Sequence, residues 1–213
     1  MKHLKPYSVF EGAKSVKKVV SRYPNGQPEV EEWKLNNNIH REDGPAEIGY
    51  YDDGGIEWEI WRINGAIHRD GAPAHIEYYR NGKIKYLSWH EKGLFHREGA
   101  PAMLQFYPDG QVKWEDWYVY GKRHREDGPA LIEYRPNGEV YKEDWWLNNK
   151  WYLTPEEFEN ALKLIHAASE KTSVDELVKL GQDADPEVRT AAKKNPNYPE
   201  DVAGWAMNLD DWT

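Results

Sequence analysis

The chain has 213 residues, no cysteine and a net charge of -9, which excludes disulfide staples and thiolate metal sites. Eleven tryptophans and fourteen tyrosines exclude a disordered chain, because disordered segments are poor in aromatics. No apolar run reaches the roughly 18 residues that a membrane helix needs.

Residues 1–22 carry a charge of +5 and read as a basic strand or arm, with lysines clustered from Lys14 to Lys18. This stretch has no apolar block of the secretory kind, and the expectation is a soluble, cytoplasmic protein. Residues 23–153 carry -7, and residues 154–213 another -7. A phosphate backbone needs a basic stripe, so an acidic body makes nucleic acid an unexpected partner.

Residues 23–153 repeat themselves. His40-Arg41-Glu42-Asp43-Gly44-Pro45-Ala46 returns as variants at His68, His96 and His124, at a constant spacing of 28. Glycine keeps the same step at Gly26, Gly54, Gly82, Gly110 and Gly138, and so does tryptophan at Trp33, Trp61, Trp89, Trp117 and Trp145. A period without slippage is the mark of a stacked array. Within one copy, Ala102 to Tyr107 has the apolar and aromatic content of a strand. Pro108-Asp109-Gly110 is a turn, and Gln111 to Val119 is a second strand. Tyr120-Gly121 turns again, at the place held elsewhere by Asn37, Gly65, Gly93 and Asn149, where a left-handed backbone is needed. The expected fold is mainly β: an elongated, twisted array of β-hairpins followed by a small α-helical module.

A single hairpin is barely stable in water, so the copies must share an apolar face. Trp33, Trp61, Trp89, Trp117 and Trp145 are expected as that shared core, each stacked on its equivalents. Side chains alternate across a strand, so Trp58, Tyr86 and Trp114, three residues before a core tryptophan, form a second stripe. That stripe lies under another layer or is exposed, and contiguous exposed aromatics mark a partner surface.

His40, His68, His96 and His124 could suggest a metal or catalytic ladder. Two strands per copy put equivalent residues roughly 10 Å apart, and zinc holds its nitrogens at about 2 Å, so they cannot share an ion. Catalysis needs one unique constellation, whereas these residues recur. No metal, cofactor or catalytic residue is expected. The histidines should bond turn backbone or pack on tryptophan. Arg41, Arg69, Arg97 and Arg125 should pair with neighbouring acids; their alternative role is to hold an anionic ligand. Ala46, Ala74, Ala102 and Ala130 allow close packing. His75, His90 and His166 fall outside the pattern and read as packing or surface residues.

Residues 154–213 change to helical spacing. Thr154-Pro155-Glu156-Glu157 is a capping box with proline at the first helical position, ahead of Phe158, Leu162 and Ile165. Ser173 opens a second helix carrying Leu177 and Leu180, closed by Gly181. Asp185-Pro186-Glu187 begins a third with Val188, Ala191 and Ala192. Pro199 begins a fourth with Val202, Trp205 and Met207. Such helices suit a solenoid cap or a separate interaction module.

The His-Arg-Glu-Asp-Gly-Pro-Ala copies and their Asp/Asn-Gly turns, from about Val19 to Tyr152, resemble variant MORN-type repeat proteins of bacteria and bacteriophages. That resemblance implies a twisted hairpin array acting as a protein-binding or oligomerising scaffold, so a homo-oligomer is open. The longer period and the His-Arg-acid loop depart from the usual MORN unit, and a membrane role is not expected. Asp185-Pro186-Glu187-Val188-Arg189 and Asn195-Pro196-Asn197-Tyr198-Pro199 resemble leucine-rich-repeat-variant and HEAT-like helical repeats, which implies another packing or interaction module. A two-part protein of this kind resembles phage accessory proteins, some of which inhibit host factors.

The expected function is therefore a non-enzymatic protein-binding scaffold, of the phage accessory type that inhibits a host defence factor. Its partner would be a protein, and it would act in the cytoplasm of the host cell. The alternative is a sequestering protein that clamps a nucleotide or other small anion on aromatic and arginine side chains. No Gly-rich phosphate loop, nucleophile elbow or His-Glu-x-x-His motif supports an enzyme.

Overall fold

Turn chemistry spaces the strands. Asn25, Asp53, Asn81, Asp109 and Asn137 each accept a hydrogen bond from the backbone N–H two residues on, and the glycine between is left-handed, with φ from 79° to 102°. An Asx side chain followed by glycine is a self-contained tight turn. The computed structural model describes residues 15–199, and it is mainly β with three helices toward the C-terminus. Contacts divide it into two units, Met1–His124 with Ala130–Glu143, and Arg125–Pro129 with Asp144–Thr213.

In the first unit, β1 (Val16–Arg22) pairs with β2 (Pro28–Leu35), and β3 (Asn38–Ile39) folds back on the end of β2. The basic N-terminal stretch is thus partly a sheet-edge strand; Lys14 lies outside the described residues. The hairpin β4 (Glu47–Tyr50) and β5 (Ile56–Ile60) precedes the short pair β6 (Arg62–Ile63) and β7 (Ala66–Ile67). The same sequence follows as β8 (His75–Tyr78), β9 (Ile84–Ser88), β10 (His90–Glu91) and β11 (Leu94–Phe95). It follows again as β12 (Met103–Phe106), β13 (Val112–Asp116), β14 (Tyr118–Val119) and β15 (Lys122–Arg123). β16 (Leu131–Tyr134) and the start of β17 (Val140–Leu147) complete the unit. The longer strands form one antiparallel sheet in the order β1-β2-β4-β5-β8-β9-β12-β13-β16-β17, which does not close into a barrel.

The short pairs turn through two left-handed residues: Asn64-Gly65, Lys92-Gly93 and Tyr120-Gly121. That is the two-residue geometry whose twist matches a hairpin. Asparagine accepts it readily, whereas lysine and tyrosine do so at a cost of about 1 kcal/mol.

Two rows of residues run across the sheet. On one face, Trp58, Glu77, Tyr86, Gln105, Trp114 and Glu133 are cross-strand partners in sequence. In a second row, tryptophan and alanine pair through the backbone: the N–H groups of Trp33, Trp61, Trp89 and Trp117 donate to the carbonyls of Ala46, Ala74, Ala102 and Ala130. These four alanines are 0% exposed.

The second unit contains the end of β17, β18 (Lys150–Tyr152), α1 (Pro155–Ala168), α2 (Val174–Leu180) and α3 (Pro186–Lys194). The caps are those the sequence announces. Thr154 Oγ1 accepts from Glu157 N, Ser173 Oγ from Glu176 N, and Asp185 Oδ1 from Glu187 N. Ala167, Leu177, Leu180, Val188 and Ala192 make one core cluster, and Leu147, Tyr152 and Phe158 make another. The β17–β18 hairpin packs on Phe158 through Trp145, Leu147 and Tyr152. Ile165 differs from expectation: it is exposed, and Leu164 and Ala167 face the core instead. Gly181 caps α2 with a right-handed backbone. Its need for glycine is steric, since a Cβ there would lie against the Tyr198 ring. The fourth helix expected from Pro199 lies outside the described residues. Among the described residues no helix is long and apolar enough to cross a membrane.

Candidate functional site: arginine loops and an aromatic row

The four His-Arg loops, numbered one to four along the chain, give their recurring residue types distinct tasks. In the first three, histidine Nδ1 faces the left-handed turn of the next copy. His40 accepts from Asn64 N at 3.0 Å, His68 from Lys92 N at 3.5 Å and His96 from Tyr120 N at 3.3 Å. The N–H groups of Gly65, Gly93 and Gly121 donate to the carbonyls of Ile39, Ile67 and Phe95. Tyr120 also stacks on His96, with ring centroids 3.9 Å apart. The histidines therefore bond turn backbone, and these contacts offset the left-handed strain at Lys92 and Tyr120. His124 belongs to the first unit and has interactions of its own.

Arginine covers tryptophan. The guanidinium carbons of Arg41, Arg69 and Arg97 lie 4.3, 3.9 and 3.8 Å from the ring centroids of Trp33, Trp61 and Trp89. The expected tryptophan-on-tryptophan stack is replaced by these arginine–tryptophan stacks. Equivalent indoles two strands apart are roughly 10 Å from one another, too far for ring contact. Trp33, Trp61, Trp89 and Trp117 are half-buried, as is Trp145 in the second unit, where its ring meets Phe158 at 4.9 Å.

The loops differ in how each arginine is neutralised. In loop one, Arg41 Nε donates to Asp43 Oδ1 at 2.8 Å; in loop four, Arg125 Nε donates to Asp127 Oδ1 at 2.7 Å. Arg125 holds the Asp127 carboxyl below its ordinary range by that hydrogen bond. In all four loops Nη1 donates to the proline carbonyl, at 3.2–3.3 Å. Loops two and three place glycine where Asp43 and Asp127 stand. Gly71 and Gly99 have φ of 66° and 65°, so these loops follow another path. Among the described residues, Arg69 and Arg97 have no carboxylate partner. Burial pushes the Arg97 pKa down. A cleft of about 600 Å³ lies between loops one and two, lined by Arg41, Asp43, Trp61, His68 and Arg69 among others.

The second aromatic stripe lies as one row. Trp58, Tyr86 and Trp114 are half-buried on one sheet face. Trp58 lies so close over Gly49 that a Cβ there would overlap the indole. Tyr86 and Trp114 have ring centroids 6.2 Å apart, and His75 meets Tyr86 edge-on at 5.3 Å. Burial raises the Tyr86 pKa to about 12. Burial also lowers that of His75, against the opposing pull of Glu77.

Two features escaped the sequence reading. The first is a tyrosine ladder: Tyr23, Tyr51, Tyr79 and Tyr107 each donate to the carbonyl 27 residues on, at 2.7–2.8 Å. Beside it, Tyr50 donates to Glu31 and Tyr78 to Glu59, at 2.9 and 2.8 Å. Where the third copy has Leu87 in place of glutamate it has Phe106 in place of tyrosine, so paired loss of the polar groups signals the contact.

The second feature is a set of polar pairs that differ from copy to copy: Arg62 with Glu47, Ser88 with His90, and Arg123 with Asp116. Ser88 Oγ lies 2.9 Å from His90 Nε2, but Ser88 is 0% exposed and His90 7%. A hydroxyl so enclosed cannot meet a substrate. Burial pushes the His90 pKa down to about 4, which keeps the ring neutral at pH 7. His166, in the second unit, pairs with Glu176 at 3.0 Å. No protein-family model matches this chain, and no curated protein matches it.

Proposed function

We propose that the first unit is a variant MORN-type hairpin solenoid that serves as a protein-binding scaffold. The observation that carries the reading is the row of Trp58, Tyr86 and Trp114, in register on one face and separated by the polar residues Glu77 and Gln105. Rigid aromatics interleaved with polar groups supply both the area and the specificity of a protein interface. The likeness to phage accessory proteins extends the proposal to inhibition of a host defence factor in the host cytoplasm, with the helical unit as a HEAT-like cap. Affinity capture from host lysate tests it. The wild-type chain should retain one stoichiometric protein, and the folded Trp58→Ala/Trp114→Ala variant should lose it. Capture that is indifferent to both substitutions would sink the reading. A second reading, sequestration of a nucleotide or other small anion, rests on the arginine–tryptophan stacks. It predicts a thermal shift with a specific nucleotide.

A further inference from the structure

Loops one and four contain a picture of the ligand that loops two and three lack. In both, an aspartate carboxylate sits on the Nε edge of a guanidinium whose Nη1 is held by a proline carbonyl. Arg69 and Arg97 have the same Nη1 anchor and the same indole beneath them. Their Nε edge has no carboxylate among the described residues, because Gly71 and Gly99 replace the aspartate. A guanidinium fixed by stacking and by one hydrogen bond is preorganised, so an incoming carboxylate orders little side chain on binding.

We propose that Arg69 and Arg97 are a two-point site for carboxylate side chains of a protein partner, presented on one extended segment. Trp61 and Trp89 follow strands β5 and β9, which are two strand spacings apart in the sheet, so the two guanidinium groups are separated by roughly 10 Å. A polyproline II segment places every third side chain on one side at about 9 Å intervals, which matches that spacing. Asp70 and Glu98 stand beside the two arginines, each at the loop surface. They oppose a uniformly anionic polymer and favour a peptide whose acids are spaced. This assignment rests on the protein-binding reading above and names the chemistry of the partner.

The test uses the full chain and a synthetic peptide with aspartate at every third position between prolines; its control carries asparagine instead. The key variant gives loops two and three the Glu-Asp-Gly sequence of loops one and four: Asp70→Glu, Gly71→Asp and Ala72→Gly with Gly99→Asp and Ala100→Gly. Its loops then carry a sequence this chain already folds, and a melting curve confirms the fold. Calorimetry on the wild type should show the asparagine peptide binding at least about tenfold more weakly than the aspartate peptide, as expected for two charge-assisted contacts. The loop variant should lose that preference, and Arg69→Lys/Arg97→Lys should weaken it, since lysine retains charge but not the planar fork. Equal binding of both peptides by the wild type, or an undiminished preference in the loop variant, would overturn the site. So would displacement of the peptide by inorganic phosphate at constant ionic strength, which points to a small-anion site. Lysate capture that survives the loop variant but not Trp58→Ala/Trp114→Ala would remove this site and leave the scaffold reading standing.

Discussion

The two units hold themselves together by different means. The helical unit has a conventional interior, where Phe158, Leu177, Val178 and Val188 are each at most 2% exposed. Among the described residues of the first unit, the apolar side chains at 0% exposure are four alanines, Ile132 is buried, and Trp33, Trp58, Trp61, Trp89, Trp114 and Trp117 are half-buried. There the contacts run from one copy to the next: tyrosine to carbonyl, histidine to turn, arginine over tryptophan. A helical core concentrates its stability in a few side chains, whereas a stacked array distributes it over its neighbour contacts. The array also leaves its tryptophans partly open, which is what the proposed partner surface rests on.

The contrast can be broken from either side. The largest effect should come from the helical core. Leu177→Ala removes a side chain that is 0% exposed and should cost about 2–5 kcal/mol, read as a lowered urea midpoint of the helical signal.

Acid should act next, and on the first unit. The folded pKa of His90 is about 4, against an ordinary 6.5. Between these values the unfolded chain binds a proton that the folded chain does not. Stability is therefore intact above pH 6.5 and declines as pH falls toward 4. The decline is on the order of 3 kcal/mol, and His90→Gln should flatten it in denaturation curves taken at pH 7 and pH 4.5. An identical pH dependence in the two proteins would show that His90 does not carry the effect.

Overfilling should follow. Ala102→Leu adds bulk at a position that is 0% exposed and should cost about 1–3 kcal/mol, measurable by thermal unfolding. The smallest effect should be Tyr79→Phe, which removes one hydrogen bond to the Phe106 carbonyl at about 1 kcal/mol. Fluorescence-monitored melting of that variant tests whether each ladder contact is worth only its own share.

The turns were legible in the sequence because glycine and Asx have few other reasons to recur at a fixed step. The helix starts were legible because Thr154, Ser173 and Asp185 stand where caps must stand. The alternation of strand faces placed Trp58, Tyr86 and Trp114 together, although their half-burial depends on neighbours such as Gly49 and His75 that no local pattern identifies. Arginine over tryptophan departs from the expected indole-on-indole stack, because equivalent indoles two strands apart are spaced too widely for ring contact. The distinction between loops was present in plain letters, as Asp43 and Asp127 against Gly71 and Gly99. Its meaning depended on seeing which guanidinium edge the aspartate occupies. Ser88 and His90 were hidden for the opposite reason: they break the repeat, and only the fold shows them bonded in a buried corner.

The proposed scaffold engages its partner through the sheet unit and not through the helical one. Amide hydrogen exchange on the captured complex, compared with the free chain, tests it most directly. Added protection is expected in β5, β9 and β13 and in the loops around Arg69 and Arg97, with α1, α2 and α3 unchanged. Protection confined to the helices would contradict it.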